Sequence, residues 1–549
     1  MRIIATAGHV DHGKSTLIHR LTGINPDRWV EEQERGLTID LGFAHMQLPS
    51  GESIAFIDVP GHTRFIGNML AGVGGINACI LVVDGHEGWK PQTEEHLRIL
   101  ELVGVKHGMI ALTKIDLCDA DDRELATMDI ADHVAGTFLQ DAPMIGLSAT
   151  TGEGLDEFIA ALDALSQQSV PSSDHQRPRL FIDRVFAAKG SGTVVTGTLT
   201  DGSFSIGDNV IITPSGREAK IRGIQTLGQA VESIEPGHRV ALNLSGIEHS
   251  ELLRGNVVIK ENNWHLSDRV DSSLQVLASL SHVVSRRGAF TVHIGSDEIP
   301  ARVRVLGPES IAPGNEGLVR LHLARAVPLL PGDRFVLRES GRSETVGGGE
   351  ILDVAPKLPA SRAQPTRSVE RVIAEHGWIQ TDRLTLLTGE KREAQFGEWT
   401  VAPEVLASTI ATIESLISQG GDGGMEYAMA TLLKGPGLGT VFHEWIHSWY
   451  QHILGTNESL YAWMDEGFTS YGEDDVTHYY EKNFATQSPY ISEAAKKQLT
   501  ASIERQATML PAVQFGNYNG YLALAKSGFE EPMSTHADHF NTNYAYSNA

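Results

Sequence analysis

Residues 8–15 read GHVDHGKS, from Gly8 through Asp11, Gly13 and Lys14 to Ser15. The spacing fits G-x-x-x-x-G-K-[ST], the pattern of a phosphate-binding loop. Gly8 and Gly13 let the backbone curl so that successive N–H groups point at phosphate oxygens. Lys14 reaches the outer phosphates, and Ser15, with Thr16 beside it, offers a hydroxyl to Mg²⁺. A helix beginning at Lys14 turns its positive end toward the same anion. The flanks agree. Residues 2–7 (RIIATA) are a short apolar run that predicts a buried strand, and 17–21 continue as a helix that Gly23 stops.

Further apolar runs at Ile54–Val59, Cys79–Val83, Met109–Leu112 and Met144–Leu147 alternate with helical patterns such as Leu155, Phe158, Ile159, Leu162 and Leu165. Strands alternating with helices predict an α/β domain over 1–168, with a parallel sheet covered on both faces. Ligands of such sheets sit at the carboxyl ends of strands. Polar motifs stand there in this sequence: Asp58-Val-Pro-Gly61-His62, Thr113-Lys114-Ile-Asp116 and Ser148-Ala149, with Arg35-Gly-Leu-Thr38 between the first loop and Asp58.

Length and composition bound the rest. A chain of 549 residues predicts about three to five domains. The net charge of −25 argues against a chain basic throughout, so any RNA contact has to use local basic patches. The two cysteines, Cys79 and Cys118, lie in apolar stretches and read as reduced core residues of a cytoplasmic protein. The first residues do not read as a signal peptide, and no apolar run approaches the length of a membrane span.

The ordered set of motifs resembles the translational GTPases, the group that includes elongation factor Tu. The resemblance implies GTP and Mg²⁺ as ligands. Gly8, Asp11, Gly13, Lys14, Ser15 and Thr16 would cradle the phosphates. Ser15, Thr38 and Asp58 would hold Mg²⁺, and the Gly61 N–H would sense the γ-phosphate. His62 would orient the attacking water when the ribosome presses it inward. Asp116 would read the guanine, with Thr113, Lys114, Ser148 and Ala149 completing the base pocket. The usual pattern has Asn where this chain has Thr113, which implies a weaker guanine contact.

Residues 166–178 (SQQSVPSSDHQRP) read as a linker. After them come short alternating strands with Gly turns, predicting two β-barrels over 176–262 and 266–356. The segment 190–199 (GSGTVVTGTL) resembles the second domain of translational GTPases. Residues 181–186 (FIDRVF) and 237–244 (GHRVALNL) resemble the selenocysteine-specific members. That resemblance implies selenocysteinyl-tRNA and the ribosome as partners of a monomeric factor, with no membrane contact. Arg184 and Arg239, with Asp183, would lie near the aminoacyl group, where their charge suits an ionised selenolate. The alternative left open by the residues is that both arginines pair with barrel carboxylates such as Asp183.

Residues 365–419 predict short helices in helix-turn-helix order, followed by a helix over Val401–Ile417. They resemble one winged-helix unit of the set with which those factors grip a messenger-RNA hairpin, and the expectation is that the hairpin-gripping units are missing. From about 420 the text changes. His443-Glu444-Trp-Ile-His447 places two histidines one helical turn apart, a zinc-binding spacing with Glu444 as general base. With Glu466 downstream and Glu426 upstream, it resembles the gluzincin aminopeptidases. That resemblance implies a mainly helical, thermolysin-like fragment over 420–549, Zn²⁺ on His443, His447 and Glu466, and Glu426 holding a peptide amino terminus. The fragment is expected to lack much of that family's catalytic unit. The chain thus reads as two unrelated segments joined near residue 420.

Overall fold

The structure is a computed structural model. It describes residues 1–27, 38, 40–61, 66–72, 75–168, 174–188, 192–342, 344–418, 424–427, 430–433, 442, 476, 479–480, 483–484 and 493–506. The chain divides into two compact units, Met1–Ala402 and Pro403–Ala549.

The first unit opens on a six-stranded sheet: Arg2–Ala7 (β1), Gly42–Gln47 (β2), Ser53–Asp58 (β3), Ala78–Asp84 (β4), Gly108–Thr113 (β5) and Met144–Gly146 (β6). The strand order is β2-β3-β1-β4-β5-β6. Five strands are parallel. The edge strand β2 is antiparallel to β3, with Phe43 opposite Ile57, an element the apolar-run reading does not find. Alternate residues feed two cores, as the period of two demands. Ile3, Ala5, Leu81 and Val83 pack on one face with Leu97, Leu100 and Ile130. Ile4, Ile80 and Val82 pack on the other with Leu17, Ile18, Phe158 and Leu162. Every residue of β4 is buried, as expected for a central strand covered twice.

Two barrels follow. In the first, strands from Arg179–Phe181 to Val257–Lys260 form a ring that closes where Asn209–Thr213 pairs with Arg217–Thr226. The second is a closed six-stranded barrel from Leu266–Val276 to Glu344–Asp353. The residues before the first barrel are more than a linker, since buried Arg177 donates to the Thr385 and Leu386 carbonyls. Buried Arg179, at the start of the barrel, enters the barrel junction.

Next come a helix Val369–His376, a strand Trp378–Gln380, a helix Thr381–Thr388 and a strand Trp399–Val401, the two strands pairing. Val369, Val372, Leu384 and Leu387 share one core with the second barrel. Val336 of that barrel joins Leu102 and Val105 of the nucleotide domain, and Arg254 of the first barrel reaches Asp40 and Asn68. All four parts therefore belong to one unit.

The predicted helix at 401–417 is observed over Pro403–Ser418 and belongs to the second unit, since the division falls after Ala402. That unit also shows a hairpin of Gly424–Tyr427 with Ala430–Leu433 and a helix Glu493–Gln506. Among the described residues, no helix is long and apolar enough to cross a membrane. Both cysteines are free.

Candidate functional site

The loop after β1 is shaped by contacts that exclude side chains. Gly8 has φ +134, and a Cβ there would sit 2.2 Å from the Val82 carbonyl oxygen. Gly13, at φ +86, caps the helix Lys14–Thr22. The Gly8 N–H donates to His96 Nδ1 at 3.0 Å and the Val10 N–H to Gln92 Oε1 at 3.3 Å. His96 and Gln92 come from the helix Pro91–Leu102, so a neighbouring helix fixes the loop. The Asp84 N–H donates to His12 Nδ1 at 3.2 Å. Burial holds both rings neutral, His12 down to about 4 and His96 down to about 3. Sequence reasoning missed His12, Gln92 and His96. A histidine inside the apolar stripe of Leu97, Ile99 and Leu100 was the available signal.

Lys14 is buried, and its ammonium donates to the Gly8 and His9 carbonyls at 3.1 and 2.7 Å. Burial pulls it down to about 8. Gly61 packs directly on this loop. A Cβ there would stand 2.7 Å from Lys14 Nζ and 2.8 Å from the Val10 nitrogen.

Ser15, Thr38 and Asp58 are brought together. Ser15 donates to Asp58 Oδ2 at 2.6 Å, and its Oγ lies 2.8 Å from Thr38 Oγ1. Thr38 in turn reaches Asp27 Oδ1 at 3.0 Å, a residue sequence reasoning missed. Thr6 donates to the other Asp58 oxygen at 2.6 Å. Burial pushes the Asp58 carboxyl up. Three short contacts among the oxygens of Ser15, Thr38, Asp58 and Asp27 share two hydroxyl protons. Such a crowd of hard oxygen donors fits a small divalent cation such as Mg²⁺. Thr16 is the next residue of the helix and is exposed.

Further along the sheet, Thr113 ends β5 beside the phosphate loop. Its hydroxyl donates to the His12 carbonyl at 2.7 Å and faces the Val83 carbonyl at 3.2 Å, tying β5 to the phosphate loop and to β4. Lys114, at φ +56, pairs with Asp84 at 2.8 Å. Burial would raise Asp84, but Lys114 and the N–H groups of His86 and Glu87 hold it below the usual carboxylate range. Asp116 is exposed on the turn Ile115–Leu117. Ser148 is buried and accepts from the Thr151 N–H at 3.1 Å, with Ala149 beside it. Pairing of Leu112 with Gly146 brings these two loops side by side.

Arg184 and Arg239 flank the strand Gly192–Thr200, opposite Thr196 and Thr198. Both guanidiniums lie over the Phe43 ring, at 4.5 and 3.4 Å from its centre. Arg239 pairs bidentately with buried Asp183, at 2.5 and 2.9 Å, the barrel carboxylate that the open alternative named for both arginines. Burial opposes the Asp183 charge, and Arg239 outweighs it. Arg184 lies 3.8 Å from Asp40 and donates to the Leu41 carbonyl.

His62, His443, Glu444, His447 and Glu466 fall outside the described residues. Glu426 is on the strand Gly424–Tyr427, opposite Thr431.

Known proteins match this architecture part by part. Residues 1–168 match the elongation factor Tu GTP binding domain. Residues 192–259 match elongation factor Tu domain 2, and 267–358 match the beta-barrel domain of the selenocysteine-specific elongation factor. The selenocysteine-specific elongation factor of Desulfomicrobium baculatum is 42% identical over 351 residues, covering 64% of this chain and 55% of that one. The chain thus spans about half the length of that relative. A crystal structure of a bacterial selenocysteine-specific elongation factor superposes with a TM-score of 0.65 at 26% identity, over 97% of this chain and 84% of the other. Elongation factor Tu 2 of Streptomyces avermitilis is 31% identical over 384 residues, which are 64% of this chain and 96% of that protein. With the phosphate loop, the oxygen cluster and both barrels in one compact unit, the chain belongs to the elongation factor Tu family.

Proposed function

We propose that the chain is a GTP-dependent translation elongation factor that delivers selenocysteinyl-tRNA to the ribosome at recoded UGA codons and hydrolyses GTP in doing so. One observation carries this reading. The nucleotide loop, with its Ser15–Thr38–Asp58 cluster, shares a compact unit with a barrel, residues 267–358, that matches the selenocysteine-specific family.

In this reading Gly8, Asp11, Gly13 and Lys14 receive the phosphates, and Lys14 exchanges its two loop carbonyls for phosphate oxygens. Ser15, Thr38 and Asp58 would hold Mg²⁺, with Thr16 beside them, and Mg²⁺ bound there would supply positive charge to offset the negative charge that develops on the phosphates. Gly61 offers its N–H beside Lys14, and His62 orients the attacking water. Asp116 accepts from the guanine, Lys114 lies along the base, and Ser148 and Ala149 close the pocket. Thr113 supports that pocket from behind through its bond to the His12 carbonyl. Arg184 and Arg239 supply the positive field for a selenolate, and Asp183 orients Arg239. The segment from Val369 to Val401 follows winged-helix order and would be the first unit of an arm directed at a messenger hairpin. The protein would act in the cytoplasm as a monomer. The zinc-peptidase motif contributes nothing to this function.

The test is protection of the aminoacyl ester bond. The GTP-bound chain should slow hydrolysis of selenocysteinyl-tRNA much more than of seryl-tRNA, and the GDP-bound chain should protect neither. Equal protection of both tRNAs sinks the selenocysteine assignment. Absence of GTP binding sinks the whole reading.

A further inference from the structure

A second open site lies far along the sequence from the nucleotide loop, between the second barrel and the helical segment after it. It is a groove of about 880 Å³ whose walls include Arg269, Arg302, Lys357 and Arg383, together with His322 and Trp378. Among the described residues, its one acidic lining residue is Asp268. In a chain of net charge −25, this concentration of cations is local and one-sided.

The barrel wall is laid out by strand register. Arg269 and Arg302 stand on either side of His322, on three adjacent strands. One rung along, Arg304 stands opposite Arg320. Like charges on neighbouring strands destabilise a sheet, so barrel stability does not account for the arrangement. Arg320 is neutralised by Asp271 at 2.6 Å. Among the described residues, Arg269, Arg302, Arg304, Lys357 and Arg383 have no carboxylate partner within ion-pair distance. Arg269 donates to the Pro356 carbonyl and Lys357 to the His376 carbonyl. Both bonds anchor the side chains at the groove wall and leave their charges uncompensated. Asp353, a buried acid that acts on the lining residues His265 and His376, is already paired with Arg371 at 2.9 Å.

The histidines register the same field. Burial and then the neighbouring arginines hold His322 below its ordinary value, and burial followed by Lys357 and Arg383 does the same to His376.

The lining also holds aromatic rings, Trp378 and Trp399. Trp378 is 36% exposed, and Phe396, 47% exposed, lies beside it with ring centres 6.4 Å apart. Cations that track a backbone, next to exposed rings on which a base can stack, are the two components of single-strand recognition. An acidic protein surface would use the cations but has no need of the rings.

We propose that this groove binds an unpaired segment of RNA, with its phosphates on Arg269, Arg302, Lys357 and Arg383 and a base against Trp378. None of these residues belongs to the nucleotide site or to the aminoacyl pocket, but Trp378 and Arg383 lie in the Val369–Val401 segment, so the inference rests on the RNA-directed arm proposed above and extends it to the barrel wall and to an unpaired strand.

The experiment is fluorescence anisotropy of a labelled oligouridylate with the full chain across a potassium chloride series. The Arg269→Ala/Arg302→Ala double variant should bind more weakly. Its log–log salt slope should flatten by about 1.4, or roughly 0.7 for each lost phosphate contact on a single strand. Trp378→Ala should lose about tenfold in affinity with its slope unchanged. An unaltered far-ultraviolet spectrum and thermal melting profile certify that each variant is folded. Should the double variant fail that check, Arg383→Ala, on a different element, must flatten the slope by about 0.7. The proposal is overturned if folded arginine variants keep the wild-type affinity and slope. It is overturned equally if polyglutamate displaces the probe as well as unlabelled oligouridylate does and Trp378→Ala binds like wild type, for the groove would then dock an acidic protein.

Discussion

His96 shows how much one side chain decides at this site. It is fully buried, accepts from the Gly8 N–H, and is pulled down to about 3, by burial first and then by Lys14 and His9. His12 is likewise buried and lowered to about 4. Both rings are neutral when folded, whereas in the unfolded chain they take up a proton near the ordinary value of 6.5. Their contribution to stability is therefore complete above that value and is lost as pH falls below it. Each proton bound only by the unfolded chain costs about 1.4 kcal/mol per pH unit. His96→Gln keeps an acceptor for Gly8 but cannot titrate. Urea unfolding of the nucleotide domain from about pH 7 to about pH 5 should show the variant losing stability less steeply, by about 1.4 kcal/mol per unit. Identical slopes in variant and wild type would remove His96 from this role.

At the scale of elements, the site is a set of strand-to-helix loops locked against one another. Gly61, after β3, lies where a Cβ would touch Lys14 Nζ and the backbone of His9 and Val10. A lysine tip can swing away, but backbone cannot, so Gly61→Ala has to displace the phosphate loop. The expected result is GTP affinity down by at least about tenfold, the effect of about 1.4 kcal/mol, with an unchanged far-ultraviolet spectrum. Wild-type affinity would show that the loop yields without cost. Strand β1, the loop and the other parallel strands were legible because continuous apolar runs ending in Gly, Asp or Lys motifs have few other readings. Strand β2 was not, since GFAHMQ is a half-buried edge in which only the first three residues are fully buried. The contacts that hold the loop were invisible for a different reason. His96 lies 88 residues from the Gly8 it binds, and Thr113 lies 101 residues from the His12 carbonyl. Only the folded sheet relates such positions. The pairing of Arg239 with Asp183 could be posed as an alternative from residue type, but its bidentate geometry depends on strand register.

Across the whole first unit, Arg179 joins the two barrels and shows which part should fail first in acid. Its guanidinium pairs with Asp201 of the first barrel at 2.8 Å and with Asp333 of the second at 2.6 Å, and it donates to the Pro328 carbonyl at 2.9 Å. The ring of Trp264 lies 4.7 Å away. Burial opposes the charge of Asp201, yet Arg179 holds that carboxyl well below the usual range. A depressed carboxylate stabilises the fold above its unfolded value, here near 3.8, and the contribution disappears only as pH falls below that. The barrel junction is thus at full strength at about pH 5, where His12 and His96 already weaken the nucleotide domain. Differential scanning calorimetry on acidification to about pH 5 should show the nucleotide-domain transition moving down while the barrel transition stays in place. Arg179→Met should reverse the order at neutral pH. It strands two carboxylates at a closed interface, and removing one partner of such a pair costs about 3–5 kcal/mol, so the barrels should melt first and separately. A single unshifted transition in that variant would mean that apolar packing around Trp264 and Leu330, rather than the ion network, holds the barrels together.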